Sequence, residues 1–395
     1  MASFDPQVSP RRALDFFWFI PAHDDSPYRA IEGRQRPLNF SHFRRVAAAL
    51  DTLDYSGALL PTGPRATNPW VTATGLAFTT EHLKMLVPLC PGVDLPLVAA
   101  RQTAGFDRLS SGRLLLNLVI GGNQTENLSH EERYAQAGEF LEVWRGLLSG
   151  RTIDFNGHHY RVKDGQLGVE PLQASPPPLY FGATSEAGQD LAVDQADLQL
   201  GWAEPVMDVA ARIARAHRRA TARGRKLRFG LRLHLIVRET QDAAWAAARK
   251  LIGRVSDAQA ASTESRFLEE NDALAEQRVV ESDRLHRDHF TTPVTQWAGV
   301  NLVRGSAGTI LVGDPATVAT RLQEYRDVGI DTIIGSGYPT LDEAHRVAEL
   351  LFPLLGRGLA GNSLPGAAPS ATQIERADDR SSAGLRDALR LQVVR

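Results

Sequence analysis

The stretch FGLRLHLIVRET (229–240) places two cationic side chains on one face of a predicted strand. Leucine at every second position alternates with Arg232 and His234, which is the period-two pattern of a β-strand. No acidic residue close in the sequence shares that face. Cations that point into a protein interior are costly without an anionic partner. The pattern therefore indicates an anion-binding face, and an amphipathic edge strand with both side chains in water is the alternative.

Further candidate residues follow other predicted strands. They are His23 after the first strand, Thr62 after the second, Asn117 within the fourth, Trp202 and Glu204 after the sixth, Arg304 before the seventh and Tyr338 at the end of the eighth. Each alone could pack in a core or brace a turn. Together they predict a cationic pocket of Arg232, Arg304 and His234 walled by Trp202 and Tyr338. The planar guanidinium fork suits carboxylate, phosphate or sulfonate oxygens.

The sequence has no motif for a metal or for a nucleophilic serine, since HExxH and GxSxG are both absent. Redox chemistry at this pocket would then need a bound cofactor. Gly182, Thr184 and Ser185 lie where a predicted strand meets a helix. Their hydroxyls and the helix amides are predicted to hold a cofactor phosphate.

The elements that must position these residues alternate between strands and helices. Eight strands are predicted, at 14–20, 57–63, 82–90, 112–122, 176–185, 197–205, 308–314 (the seventh) and 330–339 (the eighth), and 229–240 is a further strand between the sixth and the seventh. Eight βα units predict a closed (β/α)8 TIM barrel, and a doubly wound open sheet is the alternative. No GxGxxG follows the first strand to favour that alternative. In a barrel the leucine face of 229–240 would turn outward, so that Arg232 and His234 point into the lumen.

Helix starts and insertions are also predicted. Ser41 is expected to cap a helix over 41–55, and Ser185 is expected to cap the helix after the fifth strand. An Asn-Gly pair predicts a hairpin within an insertion over 151–175, and the irregular segment 256–300 is long enough to be a lid. The barrel domain is predicted over 14–357, followed by a polar tail over 359–395 that is either disordered or an arm on a neighbouring subunit.

Composition limits the class of partner. The chain of 395 residues has 44 Lys and Arg against 46 Asp and Glu, a net charge of −2, which argues against a nucleic-acid or membrane-surface binder. The single Cys90 excludes an intramolecular disulfide and a cysteine-based metal cluster. No apolar run approaches 18 residues, and Arg11 and Arg12 are not followed by the h-region of a signal peptide. A soluble, cytoplasmic protein is expected.

Longer stretches resemble alkanesulfonate monooxygenase, of the bacterial-luciferase-like group of two-component flavin monooxygenases. The resemblance covers about residues 14–357 and is carried by WFIPAH, LLPTG, FDRLSSGRLLLNLVIGG, HEERYAQAGEFLEVWRGLL, YFGATSEAGQDLAVDQAD, FGLRLHLIVRET, WAGVNLVRGSAGTILVGDPATVATRLQEY and SGYP. It implies a (β/α)8 barrel. It also implies that reduced FMN, delivered by a separate NAD(P)H-dependent reductase, activates O2 to split the carbon–sulfur bond of a sulfonate into sulfite and an aldehyde.

The resemblance implies roles for individual residues. Trp202, Arg232, His234, Arg304 and Tyr338 match the site of the sulfonate and the activated flavin, with Arg304 as an anion clamp tied to closure of 256–300. Residues that match flavin contacts are His23, Thr62, Asn117, Tyr134, Gly182, Thr184 and Ser185.

Two departures from the simple alkanesulfonate enzymes lie near this pocket. Ala66 stands near the position where they have a cysteine, and Ile120 stands where they have a threonine. A sugar sulfonate such as sulfoquinovose, or methanesulfonate, is therefore a possible substrate. A related flavin enzyme for an alkane, a sulfone or a chelator is the first alternative, and a non-catalytic flavin-binding relative is the second. A homodimer or homotetramer is expected by analogy.

Overall fold

The computed structural model describes residues 13–21, 40–63, 66–120, 128–174, 176–183, 185–252, 296–297 and 310–357. The strands described are β1 Asp15–Phe19, β2 Gly57–Leu59, β3 Lys84–Leu89, β4 Leu114–Leu118, β5 Ile153–Asn156, β6 Arg161–Gly165, β7 Leu179–Gly182, β8 Leu198–Trp202, β9 Arg228–Val237, β10 Gln296–Trp297, β11 Ile310–Gly313 and β12 Thr332–Ser336. The helices described are α1 Phe40–Thr52, α2 Pro69–Ala77, α3 Pro96–Leu109, α4 His130–Leu148, α5 Glu186–Gln195, α6 Val206–Ala222, α7 Gln241–Ile252, α8 Pro315–Asp327 and α9 Thr340–Leu350, with a 3-10 helix at Phe352–Leu355.

Eight parallel strands close into a barrel. The order around the ring is β1, β2, β3, β4, β7, β8, β9 and β12, and β12 pairs again with β1. Closure confirms the predicted (β/α)8 TIM barrel and rules out the open sheet. Because all eight strands are parallel, their carboxyl ends meet at one rim, where barrel enzymes carry their active sites.

The prediction that 308–314 supplies the seventh barrel strand is wrong. The seventh strand is β9, and β11 lies outside the ring. β9 is ten residues long and pairs with β8 through Trp202 beside Arg232 and with β12 through Ser336 beside His234. Its last residues project beyond the wall, and β11 pairs there from Ile310 beside His234 onward. A short apolar run predicts that a strand forms, but it does not predict which strands pair with it. The pairing of β11 depends on the length of β9.

Side chains of the barrel strands alternate between two cores. Leu231, Leu233 and Leu235 face the helices and are almost completely buried there, as predicted for the leucine face of β9. A separate cluster fills the lumen, made of Phe17, Leu59, Leu86, Leu115, Tyr180, Leu198, Leu200 and Ile334. The next inward-facing residues, toward the carboxyl end of each strand, therefore line the mouth of the barrel.

The amino-terminal end of the lumen is closed by an ion-pair cluster. Arg228 at the start of β9 donates to Asp331 at 2.8 Å and to Asp15 at 3.0 Å. Burial raises the pKa of the neighbouring Tyr180 to about 12. Every charge in this cluster has an opposite charge beside it, so this end of the barrel is built for stability.

Local capping explains several helix starts. Ser129 and Glu132 form a capping box at α4, and Asp314 accepts from Thr317 N at α8, where Pro315 takes the first helical position. Ser185 caps α5 as predicted, by accepting from Gly188 N. The predicted cap at Ser41 is wrong, because α1 begins at Phe40 and Ser41 lies inside it.

Helix α2 was not predicted. Asn68 caps it by accepting from Trp70 N and Val71 N. Apolar and β-branched residues occur on most sides of this helix, so its sequence shows no helical period.

The insertions have different outcomes. β5 and β6 pair antiparallel, which confirms the predicted hairpin. The segment 256–300, apart from β10, and the tail 359–395 lie outside the described residues, so their predicted roles stay predictions. Among the described helices, none is long and apolar enough to cross a membrane.

Candidate active site

Two arginines on the same face of β9 have opposite surroundings. Arg228 lies at the closed end of the lumen against two carboxylates. Arg232 is the inward-facing residue just before His234 and lies near the open end of the lumen. Within the described part of the chain no carboxylate pairs with it. The same face of β9 thus carries one structural cation and one cation that has no counter-ion among the described residues.

The Arg232 guanidinium lies between two aromatic rings. Its Cζ is 4.9 Å from the centroid of Trp202, the neighbouring residue on β8, and 5.7 Å from that of Phe19, the last residue of β1. Burial lowers the pKa of Arg232, and the nearby Tyr338 opposes this shift. Aromatic faces stabilise a desolvated cation only in part, so the guanidinium fork remains available to an anion that enters through the mouth.

His234 is held between β12 and the segment that follows it. Its Nδ1 lies 3.1 Å from Ser336 Oγ, and its ring stacks on Tyr338 with centroids 5.1 Å apart and planes 23° apart. Ser336 Oγ also donates to Leu233 O at 3.4 Å. Ser336 Oγ thereby links the His234 ring to the backbone of β9. His234 is 1% exposed, so it is positioned rigidly beside Arg232.

Asn117 and Gly182 occupy inward positions on the neighbouring strands β4 and β7. Asn117 follows Leu115 on the inward face of β4, and its side chain bonds to none of the residues that the structure describes. Gly182 is exposed at the end of β7, where a Cβ would meet only Leu200 at 3.6 Å. An amide without a partner in an apolar lumen is a candidate contact for a polar ring edge.

Tyr134 and Ser185 meet where α4 passes the start of α5. Ser185 Oγ donates to Tyr134 Oη at 3.2 Å and accepts from Gly188 N at 3.3 Å. A Cβ at Gly188 would lie 2.8 Å from Tyr134 Oη, so the two helices approach closely because residue 188 is glycine. Two hydroxyls at a helix start are suited to phosphate oxygens.

The structure leaves some predicted residues unplaced. His23, Thr184 and Arg304 lie outside the described residues. Thr62 follows β2 and accepts a weak hydrogen bond from Cys90 Sγ at 3.9 Å. Ala66 N donates to Gly63 O at 3.0 Å, beyond the end of β2.

Three residues at the site were missed by sequence reasoning. Phe19 is the inward position after Phe17, and Ser336 is the inward position after Ile334, so the period-two rule could have found both. Cys90 is likewise the next inward position after β3. Its hydrogen bond to Thr62 could not be predicted in this way, because it depends on the pairing of β2 with β3.

No group of three or more His, Cys, Asp or Glu side chains among the described residues is placed to hold a metal ion. The polar groups described at the mouth are instead a guanidinium, an imidazole, a phenol, an amide and hydroxyls. They suit the binding of an anion and of a polar organic cofactor.

The fold is a (β/α)8 barrel, and the candidate residues Arg232, His234 and Asn117 lie toward the carboxyl ends of its strands. The model of the luciferase-like monooxygenase family matches residues 14–332. The chain therefore belongs to the luciferase-like monooxygenase family.

Solved structures share the same barrel. DmoA from Hyphomicrobium sulfonivorans is 18% identical with a TM-score of 0.72, over 90% of this chain and 91% of that one. EDTA monooxygenase from Chelativorans sp. BNC1 is 19% identical with a TM-score of 0.66, over 87% of this chain and 94% of that one. The oxygenating constituent of 3,6-diketocamphane monooxygenase from Pseudomonas putida, solved in complex with FMN, is 13% identical with a TM-score of 0.63, over 90% of this chain and all of that one. At these identities the likeness shows the shared fold.

Proposed function

We propose that this protein is a flavin-dependent monooxygenase that cleaves the carbon–sulfur bond of an organosulfonate, with reduced FMN supplied by a separate NAD(P)H-dependent reductase. The observation that carries the proposal is Arg232, a desolvated cation at the mouth without a carboxylate partner in the described residues. A sulfonate offers three oxygens to the guanidinium fork and keeps its charge at any physiological pH.

The residues described at the mouth fit a flavin. The Asn117 amide, which bonds to none of the described residues, would supply hydrogen bonds to a polar ring edge, and the apolar cluster below it offers a surface on which a flat ring could pack. The hydroxyls of Tyr134 and Ser185 at the start of α5 fit the phosphate of FMN rather than uncharged riboflavin.

When bound, reduced FMN supplies two electrons and activates O2. One oxygen atom ends in the aldehyde and the other in water, while the carbon–sulfur bond breaks and sulfite leaves. In this scheme Arg232 binds the sulfonate oxygens and orients the carbon–sulfur bond, and Trp202 and Phe19 exclude water from the guanidinium. His234 Nε2 accepts or returns a proton beside Tyr338, whose hydroxyl donates a hydrogen bond.

An uncharged substrate is the main alternative. An alkane monooxygenase shares the fold with a TM-score of 0.70 at 18% identity, but an alkane has no charge to compensate a buried arginine. A polycarboxylate, as in the name of the EDTA monooxygenase, would satisfy Arg232 as a sulfonate does.

The test is a substrate panel with reduced FMN, a flavin reductase, NADH and O2. The panel contains alkanesulfonates, methanesulfonate and sulfoquinovose, each compared with the matching carboxylate, and also a dialkyl sulfone, an alkane and EDTA. We expect sulfite and an aldehyde from at least one sulfonate, with none when FMN or O2 is omitted. Turnover of a carboxylate, EDTA, sulfone or alkane without sulfite from any sulfonate would contradict the proposal.

A further inference from the structure

Arg212 of α6 lies on the outer side of β8, behind Trp202, whose ring packs against the Arg232 guanidinium. Gly201 precedes Trp202 on β8, and its missing side chain would point outward toward α6. A Cβ added at Gly201 would overlap the Arg212 guanidinium, which therefore occupies the space of the missing side chain. Any other residue at 201 would have to displace Arg212.

Arg212 contacts both Trp202 and Glu204, two residues further along the chain. Its Nη2 donates to Trp202 O at 3.4 Å, and its Nε lies 3.5 Å from Glu204 Oε2. The Arg212 side chain is 16% exposed, and burial lowers its pKa while Glu204 opposes the shift. Tyr325 Oη of α8 also donates to Glu204 O at 2.6 Å. The segment from 202 to 204 is thus held from outside the barrel by two helices.

The same segment carries the ring on which the candidate substrate-binding cation lies. Trp202 and Arg232 are neighbours in the β8–β9 register, and the Arg232 Cζ is 4.9 Å from the Trp202 ring centroid. A backbone shift at Trp202 would move the ring and withdraw the cation–π contact from Arg232. The position of Arg232 therefore depends on a side chain that lies outside the lumen.

We propose that Arg212, packed on Gly201, is a positioning residue that fixes Trp202 beneath Arg232 and so sets the affinity of the site for its anionic substrate. The effect on affinity rests on the proposed function, whereas the effect on Trp202 does not. Arg212 needs the guanidinium fork, because one ammonium group reaches either Glu204 or the Trp202 carbonyl but not both.

The experiment compares R212M, R212K and G201A with R219M in the full-length chain. Arg219 is a matched control because it lies on the same helix and pairs with Glu186 and Asp190 of α5, away from β8. Each variant is made with and without W202F, and the near-UV circular dichroism of Trp202 is taken as the difference between the two proteins. Thermal melts show which variants fold cooperatively.

We expect the Trp202 difference signal to be lost in R212M and G201A, reduced in R212K and unchanged in R219M. With a sulfonate that is turned over, R212M should raise KM on the order of fivefold with a smaller change in kcat. R219M should leave both unchanged.

A wild-type Trp202 signal in folded R212M or G201A would overturn the proposal. So would loss of folding in all three test variants while R219M folds, since Arg212 would then be a general core residue. Absence of sulfite from every sulfonate would refute the proposed function alone, because the Trp202 signal is read without substrate.

Discussion

Replacing each of the two inward-facing arginines of β9 by methionine should change stability in opposite directions. Arg228→Met and Arg232→Met remove the same charge from the same strand and the same face, four residues apart. Only the surroundings differ, since Arg228 has two carboxylates and Arg232 has two aromatic rings. The pair therefore contrasts a half-buried cation that has counter-ions with a buried cation that has none among the described residues.

Arg228→Met leaves Asp15 and Asp331 without their shared cation. Removing one partner of a buried ion pair costs about 3–5 kcal/mol. The Arg228 side chain is 32% exposed, so solvent screens part of that loss, and we expect a destabilisation of about 2 kcal/mol.

Arg232→Met removes a cation whose burial costs several kcal/mol. It also removes two cation–π contacts of about 1 kcal/mol each. Methionine fills a similar volume against Trp202 and Phe19. We expect a net stabilisation of about 1 kcal/mol, which is a rise of about 2 °C in the melting midpoint for a chain of this size.

The measurements are thermal and urea unfolding at pH 7.5 without ligand, followed by sulfite release from the best sulfonate. Arg232→Met should lower kcat/KM at least about 100-fold, since a charge-assisted bidentate contact is worth about 3 kcal/mol. Arg232→Lys should retain part of the activity because the charge remains without the fork. Folded Arg228→Met should keep its activity.

Equal destabilisation by the two methionine substitutions would refute this reasoning. Arg232 would then have a structural partner, and the inference of an anion site at the mouth would lose its basis. A stabilised Arg232→Met that retains full activity would instead show that the substrate does not contact the guanidinium.

Three further outcomes are expected. Asn117→Leu should lower the affinity for FMN about tenfold in a fluorescence titration without loss of thermal stability, because its amide has no described partner to lose; unchanged affinity would remove Asn117 from the flavin site. Burial raises the pKa of the Cys90 thiol to about 11, above the ordinary value near 9, so the neutral thiol contributes stability that is fully present below pH 9 and is lost as the pH rises toward 11. Urea unfolding at pH 8 and 10.5 should show about 2 kcal/mol of this loss, and Cys90→Ala should lack that part of it; an equal decline in both proteins would contradict the assignment. Glu343→Gln should cost about 3 kcal/mol because Glu343 is 2% exposed and binds Arg238 with both oxygens, whereas the exposed Glu349→Gln on the same helix should be neutral; equal unfolding midpoints would contradict this.

Local patterns in the sequence predicted much of the fold. The alternation of leucine with Arg232 and His234 indicated both the strand and its inward face, because the two-residue period of a strand is a property of the backbone itself. The cap at Ser185 and the hairpin after Gly150 were found for the same reason, since each depends on a few neighbouring residues. Helix α2 was missed because its apolar sequence has no helical period.

Pairing between distant segments was not predictable in the same way. The sequence could not decide whether β9 or β11 completes the ring, because both are apolar and the choice depends on strand length and register across the barrel.

The sequence by itself determined that Arg232 is a cation on an inward face. Only the tertiary structure showed that Arg228 meets two carboxylates while Arg232 meets Trp202 and Phe19, since all these partners are distant in the chain or on other strands. Only the tertiary structure brought Arg212 behind Trp202, because the space for it exists where Gly201 lacks a side chain. A side chain's type is fixed by sequence, but its charge environment is set by what the fold packs around it.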